Sequence, residues 1–202
     1  MSETEKNVRH AARMARKKAL IDAAIAAATD EHGLLIVITG NGKGKTTAAL
    51  GMVLRAAGHG LRVLILQFIK GAWSYGELDA LEHLPTVSIE PLGSGFTWNK
   101  SNLEEDRRLA QAGWQRAARE IRSGKYHMIV LDELHYVLSY GLLDAETVLA
   151  ALVNRPPHLH IVTTGRNAPD ELIRAADLVT EMHQVKHPYH DQGIAAQKGI
   201  EF

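Results

Sequence analysis

The stretch Gly40-Asn41-Gly42-Lys43-Gly44-Lys45-Thr46-Thr47 concentrates the residue types that hold a polyphosphate. Glycines let a backbone curl and approach an anion closely, so that successive N–H groups and a following helix N-terminus converge on it. Lys45 adds a positive charge on a flexible stem, and Thr46 a hydroxyl placed to ligate Mg²⁺. One position departs from the usual form of such a loop. Alignment on Gly44-Lys45-Thr46 asks for glycine at position 39, where this chain has Thr39, and Lys43 is an additional lysine inside the loop. A nucleotide site is expected, with the lie of its phosphates left open by that departure.

Two acids and two aromatics extend the chemistry. Asp132 and Glu133 directly follow the apolar run His127-Met128-Ile129-Val130-Leu131, where a nucleotide-binding sheet presents metal-facing carboxylates. With Thr46 they can hold Mg²⁺ directly or through water, because this ion keeps several waters and borrows phosphate oxygens. Which carboxylate touches the metal is open. Phe96 and Trp98 stand in the glycine-rich stretch Gly93-Ser94-Gly95-Phe96-Thr97-Trp98. They either cover a satellite core or contact a large, flat ligand. The 11 histidines supply no zinc frame: His187-Pro188-Tyr189-His190 is interrupted by proline, and no G-x-S-x-G elbow is present. No catalytic base is evident, which suits a reaction that needs none.

The elements that must carry these residues read as a regular alternation. Leu34 to Ile38 is a short, β-branched apolar strand leading into the loop, and a helix is expected from Lys45 to about Ala57, stopped by Gly58 and Gly60. Leu61 to Phe68 reads as a second buried strand, Leu78 to Leu84 as a short helix and Val87 to Ile89 as a short strand. Ser101-Asn102-Leu103-Glu104 has capping-box spacing and opens a helix to about Arg122. After the strand at 127–131, Asp144 caps a helix ended by Pro156-Pro157. His160 to Thr163 is a strand before Thr164-Gly165-Arg166-Asn167. One more helix and a strand within 177–182 precede a polar tail, Lys186 to Phe202. Strands alternating with helices predict an α/β fold: a mostly parallel central sheet with helices on both faces, of the P-loop NTPase (RecA-like) type. Loops at the carboxyl ends of such strands line the ligand crevice.

Composition narrows the class. Lysine plus arginine balances aspartate plus glutamate at 23 each, so no global field recruits nucleic acid or acidic surfaces. The absence of cysteine excludes disulfides, thiolate zinc and iron–sulfur sites, and fits a reducing compartment. No apolar stretch approaches the ~18 residues of a membrane helix, and no secretory apolar region follows Met1, so a cytoplasmic protein is expected. Residues 1–32 differ from the rest. They are Ala-rich and carry Arg9, Arg13, Arg16, Lys17 and Lys18, predicting a helix from about Val8 to Ala28. Glu3, Glu5 and Asp22 count against an acid-poor mitochondrial presequence. Two readings stand: a solvated terminal helix, or an arm lying over the nucleotide end of the sheet, its own or a partner's. The expected organisation is an arm, 1–32, and one α/β domain, 33–202.

Taken together, GNGKGKTTAA (40–49), VLILQFIKGAWSYGE (63–77), GSGFTW (93–98), IVLDEL (129–134), TTGRNAPDEL (163–172) and VKHPYHDQGIAAQKGIEF (185–202) resemble the CobA/CobO-type corrinoid adenosyltransferases. The resemblance covers nearly all of the chain from Leu34 onward and, more loosely, the N-terminal helix. It departs chiefly at Trp73-Ser74-Tyr75 and Pro188-Tyr189-His190. It implies transfer of the 5′-deoxyadenosyl group from ATP to the Co(I) centre of a reduced corrinoid, with release of triphosphate. Cobalt is itself the nucleophile and has no proton to lose, so the missing base is accounted for. The resemblance further implies ATP contacts from Gly40 to Thr47 and from Arg166, catalytic roles for Lys45, Phe96 and Trp98, and a metal (Mg²⁺, with Mn²⁺ as an alternative) at Thr46, Asp132 and Glu133. It implies ATP held in the reverse sense to ordinary P-loop enzymes, consistent with the off-pattern loop. Phe96 and Trp98 would crowd the lower face of the corrin, keep its axial position empty and ease reduction of Co(II). It also implies a homodimer whose N-terminal helix closes over an active site, and an electron donor such as a flavodoxin or reduced flavin. The competing readings are a conventional P-loop ATPase or kinase, resting on Lys45, Thr46 and Asp132 alone, and a corrinoid-binding regulatory module.

Overall fold

The computed structural model describes residues 2–69, 76–93 and 103–201. The chain divides into two units, 1–32 and 33–202. The first is one helix, α1 (Glu3–Ala27). It begins earlier than the expected Val8 because Ser2 and Glu5 form a reciprocal capping box: the Ser2 hydroxyl accepts from the Glu5 N–H at 3.3 Å, and the Glu5 carboxylate accepts from the Ser2 N–H at 2.8 Å. No α1 side chain is buried.

The second unit is built on six strands: β1 (Leu35–Thr39), β2 (Val63–Gln67), β3 (Val87–Pro91), β4 (Met128–Asp132), β5 (His160–Thr164) and β6 (Leu178–Glu181). They lie in the order β3-β2-β4-β5-β1-β6, and every pairing is parallel. The helices are α2 (Lys45–Gly58), α3 (Gly76–Leu81), α4 (Leu103–Arg122), α5 (Leu134–Ser139), α6 (Ala145–Val153), α7 (Asp170–Ala175) and α8 (Pro188–Gln192). β1, β2 and β4 are buried at every position, which is why they read as unbroken apolar runs. Successive side chains point to opposite faces and build two cores. Leu35, Val37, Leu64, Leu66, Ile129 and Leu131 pack with α4, α5, α6 and α7. Ile36, Ile38, Val63, Ile65 and Val130 pack with α2 and Leu81 of α3. The expected α/β sheet with helices on both faces is therefore observed.

α4 shows how the sequence sets such a helix. Ala110, Gly113, Trp114, Ala117 and Ile121 recur at helical spacing and are buried. Glu104, Glu105 and Asp106 stand in the first turn, with Arg119 and Arg122 in the last, complementing the helix dipole. Ser101 and Asn102 of the expected capping box lie outside the described residues, as do Trp73, Ser74 and Tyr75. α5 and α8 were not expected from the sequence. α5 starts immediately after β4 with Glu133 in left-handed conformation (φ 60°) and no side-chain cap, so it carries no start signal. α8 is a short helix within the stretch read as a polar tail, with Pro188 at its first turn and the His187 ring accepting from the backbone of Tyr189 and His190.

Parallel strands bring their carboxyl ends to one edge. Register pairs Gln67 with both Asp132 and Pro91, Ile38 with Thr164, and Thr39 with Glu181. β5 lies between β1, which feeds the phosphate loop, and β4, which ends in Asp132. The start of the domain is pinned by a tight backbone approach: a Cβ on Gly33 would come within 2.2 Å of the Leu159 carbonyl oxygen. Gly33→Ala should therefore lower the unfolding free energy by about 2 kcal/mol. Gly51→Ala, in α2 with nothing within 4 Å of its added Cβ, should raise it by about 0.5–1 kcal/mol. Urea denaturation of the full chain compares the two; shifts of the same sign would contradict this account.

Candidate functional site

The phosphate loop runs from the end of β1 into α2. A Cβ at Gly40 (φ 94°) would meet the Met182 backbone at 2.5 Å, so glycine is required one place later than in the usual form of the loop. The Gly42 N–H donates to the Met182 carbonyl at 2.6 Å, fixing the loop against the segment that follows β6. Thr39 is buried, and its hydroxyl oxygen accepts from the Ala168 N–H at 3.2 Å. α2 starts at Gly44 without a side-chain cap, leaving first-turn N–H groups for an anion. Asn41 and Thr47 are exposed.

The two lysines of the loop are placed differently. Lys45 is buried, and its ammonium donates to the Gly40 and Gly42 carbonyls at 2.9 and 2.7 Å. Burial pushes its pKa below the ordinary lysine value, opposed by the Glu133 carboxylate and assisted by the nearby Arg166 charge. Lys43 points to the other end of the chain and forms an ion pair with Glu201. Beside this clasp, Thr47, Leu50 and Leu54 of α2, Glu77 and Ala80 of α3, and Gly199 to Glu201 line a cavity of about 590 Å³.

Asp132 draws the edge together. Buried at the end of β4, its carboxylate accepts from the Thr46 hydroxyl at 2.9 Å, the Thr164 hydroxyl at 2.7 Å and the Gln67 amide at 3.1 Å. Glu133 occupies a left-handed conformation unusual for its type, and its N–H donates to the Thr164 hydroxyl oxygen at 2.9 Å. Among the described residues no group of three or more His, Cys, Asp or Glu side chains could hold a metal by itself. One hydroxyl beside one or two carboxylates is nonetheless the donor set of a Mg²⁺ that takes its other ligands from water and phosphate. Thr46, Asp132 and Glu133 fit that requirement.

Gly40 to Thr46, Asp132 and Glu133 thus share one edge, and Arg166, on the β5–α7 turn, is close enough for its charge to act on Lys45 and Tyr136. Phe96 and Trp98 lie outside the described residues. Gln67, Thr164 and His135 were not singled out from the sequence. His135 is fully buried, with its ring nitrogens at 3.0 Å from the Gly165 carbonyl (Nδ1) and 2.9 Å from the Thr163 hydroxyl (Nε2).

Residues 31–202 match the ATP:corrinoid adenosyltransferase BtuR/CobO/CobP family, and residues 1–25 match the Cob(I)alamin adenosyltransferase N-terminal family. The chain belongs to the ATP:corrinoid adenosyltransferases. It is 48% identical over 199 residues to a corrinoid adenosyltransferase of Pseudomonas aeruginosa, covering 98% of each chain. It is 43% identical over 194 residues to a corrinoid adenosyltransferase of Escherichia coli K12, covering 96% of this chain and 98% of that one. Among solved structures it is similar to the flagellar accessory protein FlaH of Methanocaldococcus jannaschii, with a TM-score of 0.50 at 13% identity, covering 74% of this chain and 71% of the other. That likeness concerns the fold alone.

In this adenosyltransferase the buried His135 gives folding a pH dependence. Burial pushes its pKa from 6.5 down to about 4, with the Gly165 hydrogen bond opposing and the Lys45 charge assisting. The folded state thus disfavours the proton that the unfolded chain takes up below pH 6.5. The stability from neutral His135 is whole above pH 6.5 and is lost as pH falls toward 4, by up to ~3 kcal/mol. Denaturation midpoints from pH 8 to 4 should show this as a difference between the parent protein and His135→Gln; parallel curves would contradict it.

Proposed function

We propose that the chain transfers the 5′-deoxyadenosyl group of ATP to the Co(I) centre of a reduced corrinoid, cobalamin or a precursor, and releases triphosphate. The observation that carries this reading is the family match over residues 31–202, which coincides with an uncapped helix N-terminus and a buried lysine at the phosphate loop. Cobalt attacks C5′ with its own electron pair. The cobalt–carbon bond forms as the C5′–O5′ bond breaks, and that bond's electrons leave with the triphosphate. No proton moves, so no general base is required.

The task left to the protein is to orient C5′ toward cobalt and to receive the charge of the leaving group. Lys45 would exchange the loop carbonyls it now bonds for phosphate oxygens, which shortens neither its stem nor its reach. The first-turn N–H groups of α2, with Gly40 to Thr47 and Arg166 around them, would hold the remaining oxygens. Mg²⁺ (or Mn²⁺), held by Thr46 with Asp132 and Glu133, would supply further neutralisation of the departing chain. Phe96 and Trp98 are assigned by family resemblance to the lower face of the corrin, where an emptied axial position eases reduction to Co(I).

We further read the protein as a cytoplasmic homodimer served by an electron donor such as a flavodoxin or reduced flavin. Support for the dimer comes from α1, whose Val8, Leu20 and Ile25 are each about two-thirds exposed. Apolar residues exposed on a basic helix suit an arm that packs against a second copy of the chain.

Incubation with MgATP and chemically reduced cobalamin should yield a light-sensitive adenosylated corrinoid and tripolyphosphate in equal amounts. ADP or orthophosphate as sole products would overturn the reading in favour of a conventional ATPase or kinase. Lys45→Ala should lower turnover by at least about a hundredfold while corrinoid binding persists. Trp98→Ala should impair turnover from Co(II) under a mild reductant more than turnover from pre-reduced Co(I); equal losses would assign Trp98 to packing.

A further inference from the structure

The turn from Thr164 to Ala168 is tied down on both sides of Arg166. On one side Thr164 donates to Asp132 at 2.7 Å; on the other the Ala168 N–H donates to Thr39 at 3.2 Å. Between them Gly165 adopts φ 139°, a region that favours glycine, and a Cβ there would stand 2.7 Å from the His135 Cβ. His135 thus presses directly against the turn, and its Nδ1 lies 3.0 Å from the Gly165 carbonyl oxygen. A carbonyl only accepts, so Nδ1 carries the proton. In the neutral ring Nε2 is then an acceptor, and the Thr163 hydroxyl at 2.9 Å donates to it in preference to the Ile36 carbonyl at 3.4 Å.

We propose that His135 is a positioning residue for adenosyl transfer: its Nδ1–H···O=C bond to Gly165 fixes the peptide preceding Arg166 and so aims the guanidinium at the triphosphate. The inference rests on the phosphate-binding role proposed for Arg166. A purely structural role makes a different prediction, because it concerns the fold and leaves the loop's affinity for phosphate unaltered. The ring's two bonds can be separated. In asparagine the side-chain NH₂ replaces Nδ1, whereas in glutamine the terminal amide replaces Nε2. His135→Asn therefore retains a donor for Gly165 and loses Thr163; His135→Gln retains a partner for Thr163 and loses Gly165.

The test uses the full chain, with tripolyphosphate and Mg²⁺ as the calorimetric probe and steady-state adenosylation of pre-reduced cobalamin as the activity. His135→Gln should weaken tripolyphosphate binding and raise KM for ATP by about tenfold, while kcat changes less. His135→Asn should stay within about twofold of the parent on both measures. Urea denaturation of both variants establishes that each is folded under assay conditions. Equal affinity in the two folded variants, or a larger loss in His135→Asn, would overturn the proposal. Arg166→Ala in the same calorimetry separates this from the underlying reading: unchanged tripolyphosphate affinity there would overturn the role of Arg166 itself. With Arg166→Ala weakened and both His135 variants unaffected, only the positioning role fails.

Discussion

A buried carboxylate must be surrounded by donors, and Asp132 meets that requirement from three directions. Thr46 reaches it from the first turn of α2, Gln67 from the end of β2 and Thr164 from the end of β5. Unpaired, such a charge in the sheet interior would cost several kcal/mol, so its solvation by these hydroxyls and this amide is a condition of the fold. The same bonds fix where α2 begins relative to the sheet edge. The phosphate loop is therefore held at both ends: covalently by β1, and through Thr46 by the neighbour-but-one strand, β4.

The electrostatics of that edge follow from what must occupy it. Lys45 now satisfies itself on the Gly40 and Gly42 carbonyls, a self-contained arrangement that avoids leaving a buried ammonium bare. A polyphosphate offers stronger acceptors at the same place, and the uncapped N–H groups of α2 favour negative charge for the same reason. Asp132 and Glu133 oppose an anion unless a cation intervenes, which is the physical argument for a divalent metal between them and the phosphates. Lys43 pairs with a different partner in this structure. Its ion pair with Glu201, at an exposed position, is of the kind that contributes little to stability, and it links the loop to the far end of the chain.

Much of this was legible in the residues. Unbroken apolar runs marked β1, β2 and β4 because both faces of those strands are covered, and glycines beside lysine and threonine marked the loop. Asp132 and Glu133 stood out by their position at the end of an apolar run. What escaped notice is what depends on strand order. Gln67 and Asp132 are 65 residues apart, Thr164 and Asp132 are 32 apart, and His135 and Gly165 are 30 apart. Each pair meets only because β2 and β5 flank β4 in the sheet, an order that no local periodicity encodes. α5 was missed for a local reason: Glu133 turns the chain by a left-handed step in place of a cap, so an apolar run after a strand gives no sign of becoming a helix.

The departure at Thr39 takes on a different meaning once the edge is assembled. From the residues alone, threonine in place of glycine leaves the placement of the phosphates open. In the structure the close backbone approach that demands glycine falls at Gly40, against Met182, and position 39 is freed for a side chain with an acceptor. Thr39 uses it to hold Ala168, and so ties the end of β1 to the turn that carries Arg166. Threonine at this position thus ties together two segments proposed to hold phosphate. It does not by itself fix the direction of the nucleotide. On the reading proposed above, that direction follows from where positive charge gathers: the triphosphate would settle beside Lys45, Arg166 and the first-turn amides of α2, and the sugar would take the space that remains.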